Sequence, residues 1–307
     1  MSGDFPRSQI NSNGGPFRVG IVGVGIAGAT LHLPVLSAMQ DFSVEWLCDL
    51  DGAKARSVAD RHSIPRSFED MNECSEVDAV VLTIPVSVRT DALDIVFRRG
   101  WNVLVEKPFA KSIASHVEIL QKAQQAGVQI GVMAQRRGYH GTIVARRILR
   151  SRVLGSIKRI WAADSDGSQR SGIDGDAWAS RIIDPATATG GFLEETGWHL
   201  IDNAFFLSDA TAVEVRDAKI DDIDGIDTDI RALGVVTNDL GDTFEFAVRL
   251  LRSRDIKRGM RIECENGILE VGNYPTSPVI LKSTEDKLIC NLDVNIRSAK
   301  SGFAAVS

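Results

Sequence analysis

Between Phe17 and Gln135, short apolar runs alternate with amphipathic stretches, and nothing else in the chain constrains its fold as tightly. The runs are FRVGIV, SVEWLCD, VDAVVLTI, NVLVE and VQIGVMA, all rich in Val and Ile. Between them lie stretches such as AKARSVADRH, RTDALDIVFRRG and SIASHVEILQKAQQAG. In the last of these Ile113, Val117 and Leu120 recur at helical spacing as an apolar stripe, and Gly127 ends the helix. Strands that are apolar throughout, rather than at alternate positions, are buried on both faces. Joined one to the next by helices, they predict a doubly wound parallel sheet.

The pattern changes after about residue 137. HGTIVARRILRSR reads as a helix with Ile143, Ile148 and Leu149 inward and Arg146, Arg147 and Arg150 in water. Strands with alternating character follow: IKRIWAAD, AVEVRDAKI, IRALGVVTN, TFEFAVRL, MRIECENG and ILEVG. NDLGD and ENG are turn chemistry between runs that pair antiparallel. The expected fold class is α/β: a Rossmann domain over 17–136, then an α+β domain with an open, mostly antiparallel sheet over 137–307. Residues 1–16 read as a flexible tail.

A chain of 307 residues with 44% hydrophobic content suits this two-domain arrangement. Its net charge of −6 argues against a broad nucleic-acid surface. No apolar run spans a bilayer, and the first residues carry no export signal. Cys48, Cys74, Cys264 and Cys290 form no CxxC pair, so zinc is not expected and reduced thiols in a cytoplasmic protein are. The acidic run Asp221–Asp229 fails the calcium-loop template, because Arg231 stands where the final glutamate belongs. It reads as a solvated connection.

Gly23, Gly25 and Gly28 have GxGxxG spacing, directly after a predicted strand and opening a predicted helix. In that context Gly23 permits a tight turn, Gly25 a close backbone approach to a pyrophosphate, and Gly28 tight packing of helix on strand. Asp49 ends the next strand about 20 residues on, where a carboxylate accepts both ribose hydroxyls of an adenosine. It also repels a 2′-phosphate, which favours NAD over NADP. Asp51 is close enough to serve instead.

Four segments now occur in order: the glycine cluster, TIPVSVR (Thr83 to Arg89), EKP (Glu106 to Pro108) and GGFLEETGWHLID (Gly190 to Asp202). Over nearly its whole length the chain resembles the glucose–fructose oxidoreductase, inositol dehydrogenase and MocA (Gfo/Idh/MocA) family of nicotinamide-dependent enzymes. The resemblance implies hydride transfer between nicotinamide and a carbinol or keto carbon of a sugar, sugar derivative or cyclitol. It also implies a homodimer or homotetramer. Lys107 falls on the EKP lysine, which in relatives hydrogen-bonds the substrate oxygen and supports proton transfer. His199 falls on the histidine of the DxGxHxxD segment, an acid/base or substrate contact. Glu195 stands where that segment has aspartate, while Gly197 and Asp202 fit it. Cofactor contacts are further implied for Ile26, Ala27, Thr83, Ile84, Pro85, Glu106, Lys107 and Gln135, and substrate contacts for Lys107, Arg136, Trp178, Glu195, His199 and Asp202. Arg89 departs from the histidine of many relatives, and its expected place is in solvent on the following helix.

Hydride removal from an alcohol carbon leaves an oxyanion unless the hydroxyl proton also departs, so such a site needs a proton acceptor. Lys107 and His199 are the candidates. If the second motif is helical, Glu195, His199 and Asp202 lie near one face, with Phe192, Leu200 and Phe206 toward a core. Gly190 and Gly191 then let the backbone enter the site without a side-chain clash. Glu195 and His199 lack a third ligand for a metal. His32, His62, His116 and His140 read as packed or surface residues. Arg170 offers a cation for phosphate or carboxylate and Trp178 a ring for stacking, and each is equally a loop residue in water. Two readings stay beside sugar oxidoreduction: reduction of a cyclic imine or other non-sugar carbonyl, and a nicotinamide-binding sensor without turnover.

Overall fold

The computed structural model describes residues 15–165, 191–223, 226–251 and 256–293, so Arg170, Trp178 and Gly190 lie outside the described residues. The chain divides into two compact units between Met133 and Ala134.

In the first unit, β1 (Phe17–Val22), β2 (Phe42–Cys48), β3 (Ser67–Phe68), β4 (Ala79–Leu82), β5 (Asn102–Val105) and β6 (Ile130–Val132) form one sheet in the order β3-β2-β1-β4-β5-β6. Every pairing is parallel. The helices are α1 (Leu33–Ala38, entered through a π-turn over Ala27–His32), α2 (Gly52–His62), α3 (Arg89–Arg99) and α4 (Ile113–Ala126). Val19, Ile21, Val44 and Val81 pack with Leu33, Ala55 and Val58 on one face. Val22, Trp46, Val80, Leu82, Val103 and Val105 pack with Leu93, Val96 and Ile119 on the other. Burial on both faces explains the unbroken apolar runs. Gly100 and Gly127 end α3 and α4 at φ +67° and +68°, the left-handed conformation glycine adopts without a Cβ penalty.

Close packing makes Gly20, inside β1, irreplaceable. A Cβ there would lie 2.2 Å from the Trp46 ring, which is fully buried. Gly20→Ala is expected to cost about 3 kcal/mol of unfolding free energy, the upper end of ordinary overpacking. Urea unfolding followed by tryptophan fluorescence checks this, and a midpoint equal to wild type would contradict the packing.

Ile113, Val117 and Leu120 lie on α4 as their helical spacing predicts, and they are 85%, 47% and 44% exposed, while Ile119 and Ala123 are its buried residues. One sequence expectation needs correction, the solvent place of Arg89, taken up with the site.

The second unit is built on an eight-stranded sheet in the order β14-β13-β12-β11-β7-β10-β9-β8. Its strands are β7 (Ile157–Ser165), β8 (Ala210–Ile223), β9 (Ile226–Asn238), β10 (Thr243–Leu251), β11 (Gly259–Cys264), β12 (Gly267–Val271), β13 (Val279–Lys282) and β14 (Leu288–Leu292). All pairs are antiparallel except β7 with β10. The hairpin β13–β14 was not evident in the sequence. Helices α5 (His140–Arg150) and α6 (Trp198–Ser208) cover one face through Ala145, Leu149, Leu200, Ala204 and Leu207. Arg146 is not simply in water: it pairs with Asp209 and stacks on Phe206 at 4.1 Å, tying α5 to α6. On the opposite face Trp161 and Leu233 stand among ion pairs such as Arg159–Glu245 and Arg249–Asp229. No helix among the described residues is long and apolar enough to cross a membrane.

Candidate active site

Parallel pairing places the C-terminal ends of β1, β4 and β5 side by side. The loops that leave them carry Gly23–Gly28, Thr83–Pro85 and Glu106–Lys107. Gly23 takes φ +88°. Its N–H donates to Cys48 O at 2.8 Å, and its carbonyl accepts from Thr83 Oγ1 at 2.5 Å. A Cβ at Gly28 would fall 2.0 Å from Gly23 O, so no side chain fits there. A Cβ at Gly25 would meet nothing within 4 Å. Ile26, which caps the π-turn that begins at Ala27, makes no side-chain capping bond. The loop is a turn with open space at its crest and a helix start behind it, which suits a pyrophosphate.

Asp49 stands beside this loop. Its Oδ2 accepts from Val24 N–H at 2.8 Å and its Oδ1 from Asp51 N–H at 3.1 Å, with Lys54 Nζ 4.0 Å away. Asp51 is the N-cap of α2, its side chain accepting from Lys54 N–H at 3.0 Å. The two acids therefore differ in role: Asp51 starts a helix, whereas Asp49 borders the glycine loop. Leu50 next to it is 93% exposed.

At the end of β5, Glu106 N–H donates to Leu82 O at 3.0 Å. The Glu106 carboxylate meets His32 Nε2 at 2.6 Å and accepts from Lys107 N–H at 3.2 Å. Lys107 is half-buried. Arg89, expected in solvent, is 2% exposed. Its Nη2 donates to Ile84 O at 2.8 Å, and its Nη1 to Phe109 O at 3.3 Å and to Pro108 O. Burial pushes its guanidinium down to about 10, against the attraction of Glu106. It therefore stays protonated at neutral pH. The cause is physical: the carbonyls of Ile84, Pro108 and Phe109 need donors, and the buried guanidinium supplies them.

In the second unit, Gln135 is exposed, and Arg136 is held by Asp164 with Nη2 to Oδ2 at 3.0 Å. The second motif is helical as expected, but it opens with a π-turn over Leu193–Gly197 before α6 begins. Glu195 lies in that π-turn. His199 is 8% exposed, with the Trp198 ring edge-on at 5.3 Å. Asp202 accepts from Arg137 Nε at 2.9 Å. A cavity of about 630 Å³ is lined by Gly191, Leu193, Glu194, Trp198, Ile201, Asp202 and Asp227. Asp227 Oδ2 accepts from Leu193 N–H at 2.6 Å, and a Cβ on Gly191 would strike its carboxylate. Phe192 and Leu200 are buried, and Phe206 is half-buried beneath Arg146.

Eleven of the expected contacts thus fall in the first unit around one sheet edge, and Gln135, Arg136, Glu195, His199 and Asp202 fall in the second. His32, Arg89 and Asp227 were not anticipated as neighbours of these groups. Only the proximity of His32 to the glycine motif hinted at its place. No group of three or more His, Cys, Asp or Glu among the described residues is arranged to hold a metal ion.

Residues 17–134 match the oxidoreductase family with an NAD-binding Rossmann fold. An Amycolatopsis mediterranei protein provisionally named a UDP-kanosamine synthase oxidoreductase subunit is 31% identical over 212 residues, 67% of this chain and 56% of that protein. A dTDP-3,4-didehydro-2,6-dideoxy-alpha-D-glucose 3-reductase of Streptomyces antibioticus is 24% identical over 48% of this chain and 45% of its own. The chain spans about half the length of the curated relatives it matches. In fold it is similar to a 3-ketoreductase from Actinomadura kijaniata solved with NADP and TDP-benzene, with a TM-score of 0.73, 20% identity and coverage of 91% of this chain and 85% of that one. An Agrobacterium radiobacter oxidoreductase solved with NAD+, L-tartaric acid and magnesium also gives a TM-score of 0.73, at 14% identity, covering 94% of this chain and 82% of that one. Residues 17–134, with the sheet that they build, belong to the Gfo/Idh/MocA family of oxidoreductases, whose NAD-binding Rossmann fold they carry.

Proposed function

We propose that this chain transfers a hydride between a nicotinamide, NAD in preference to NADP, and a carbinol or keto carbon of a sugar derivative or cyclitol. The observation that carries the reading is the side-by-side placement of the glycine loop, Thr83–Pro85 and Lys107 at the C-terminal edge of adjacent parallel strands. In open α/β sheets that edge is where ligands bind.

The glycine loop and the start of its helix receive the pyrophosphate, and Asp49 accepts the adenosine ribose hydroxyls. Bound nicotinamide supplies or accepts the hydride. Lys107 donates a hydrogen bond to the reacting oxygen and stabilises its developing charge. His199 exchanges the proton, since an imidazole does so readily near neutral pH. Asp202 and Asp227 in the second unit offer acceptors for hydroxyl groups, and Trp198 offers an apolar face against which a sugar ring packs. The named activities of several relatives support this substrate class, including a scyllo-inositol 2-dehydrogenase of Bacillus subtilis that is 20% identical over 43% of this chain and 37% of its own.

Purified protein tested with NADH and NADPH against keto-sugars, inososes, sugar nucleotides and cyclic imines, at about 340 nm where reduced nicotinamide absorbs, examines the proposal. Oxidation of NADH by a keto-sugar or inosose is the expected result. Oxidation by cyclic imines alone would replace the substrate class, and cofactor binding without turnover of any compound would favour a sensor.

A further inference from the structure

Arg89 is a buried cation that the proposed mechanism does not use. An apolar side chain at the start of α3 would bury without penalty, whereas taking a guanidinium out of water costs several kcal/mol unless its donors are met. Here they are met by carbonyls from two different loops. Ile84 O belongs to the segment leaving β4, and Pro108 O and Phe109 O to the segment leaving β5. The planar fork of arginine reaches both at once, which the point charge of lysine does not. Among the described residues Nε has no hydrogen-bond partner.

The two segments carry the groups assigned to the chemistry. Ile84 lies between Thr83 and Pro85, and Pro108 directly follows Lys107. On the other side of Lys107, Glu106 is anchored to His32 at 2.6 Å and accepts from the Lys107 N–H at 3.2 Å. The lysine backbone is thus held from before and after. We propose that Arg89 is a positioning residue, a brace that fixes the spacing between the Lys107 loop and the Thr83–Pro85 loop. This deepens the oxidoreductase reading and rests on it for the role of Lys107.

The test uses the full chain and its R89M and R89K variants. Hydrogen exchange followed by mass spectrometry is expected to show peptides over 83–88 and 105–111 exchanging about tenfold faster in R89M, with β1 and β2 peptides unchanged and R89K between. Unchanged exchange in both loops overturns the brace. Faster exchange throughout the first unit also overturns it, because Arg89 would then hold the unit as a whole. Turnover per NADH-binding chain is expected to fall about tenfold in R89M, with the NADH KM within about threefold and partial recovery in R89K. A loss confined to the number of NADH-binding chains, with normal turnover in those that bind, would make Arg89 merely structural. If the wild type turns over no compound, the oxidoreductase reading fails, and the exchange result alone decides the brace.

Discussion

Lys107→Ala is expected to lower kcat about a thousandfold, within the range measured for removing a positioned proton-transfer group, while NADH binding stays within about threefold. The split follows from where the contacts lie. The glycine loop and Asp49 are held by Cys48, Thr83 and Val24. In the proposed mechanism what disappears is the donor to the reacting oxygen, so the loss falls on the transition state rather than on ground-state binding. Lys107→Arg keeps the charge but alters its reach and shape, and it recovers little. Combining Lys107→Ala with His199→Ala extends the test. If the two groups serve one proton transfer, the double variant is no slower than about the worse single one. Multiplicative losses would separate their roles, and near-normal turnover in Lys107→Ala would remove the lysine from the chemistry.

The second large effect concerns cofactor choice. Wild-type protein is expected to bind NADH about a hundredfold more tightly than NADPH, a difference of about 2.7 kcal/mol. A 2′-phosphate close to the Asp49 carboxylate meets a repulsion of about 4 kcal/mol per pair of unit charges at 4 Å and an effective dielectric of 20. Lys54, 4.0 Å from Asp49, offsets part of it. Asp49→Asn isolates the charge. Its one oxygen, with two lone pairs, still accepts from Val24 N–H and from a ribose hydroxyl, while the weaker bond from Asp51 N–H is given up. The expected ratio in this variant is below about tenfold, gained mainly by tighter NADPH binding. Fluorescence titration with both cofactors measures it. Equal affinities in the wild type would show that Asp49 does not read the ribose.

The first unit was legible because its strands are buried on both faces. Val19, Ile21 and Val81 serve one helical layer, and Val22, Val80 and Leu82 the other, so the apolar run itself announces the architecture. The glycine spacing was readable too, since Gly23 at φ +88° and Gly28 packed against Gly23 O act through their local backbone. What escaped depends on distance along the chain. The Glu106–His32 pair joins residues 74 apart, and the Arg89 guanidinium reaches across 20 residues to a backbone carbonyl beyond the EKP segment. Arg89 looked like a surface residue because arginine is seldom buried unless paired, and its partners are backbone carbonyls that no side-chain sequence displays. The strands VILK and LICNL were missed for a different reason. They are short and mostly half-exposed or exposed, and their pairing, rather than their composition, makes them strands.

The wide turn over Leu193–Gly197 carries a geometric implication for the second motif. Adjacent residues on an α-helix differ by about 100° in azimuth, so one surplus residue rotates everything upstream of it by roughly that angle. Residues upstream of the turn, the buried Phe192 among them, therefore meet the core at a bearing that a regular helix continued backwards from α6 would not give them.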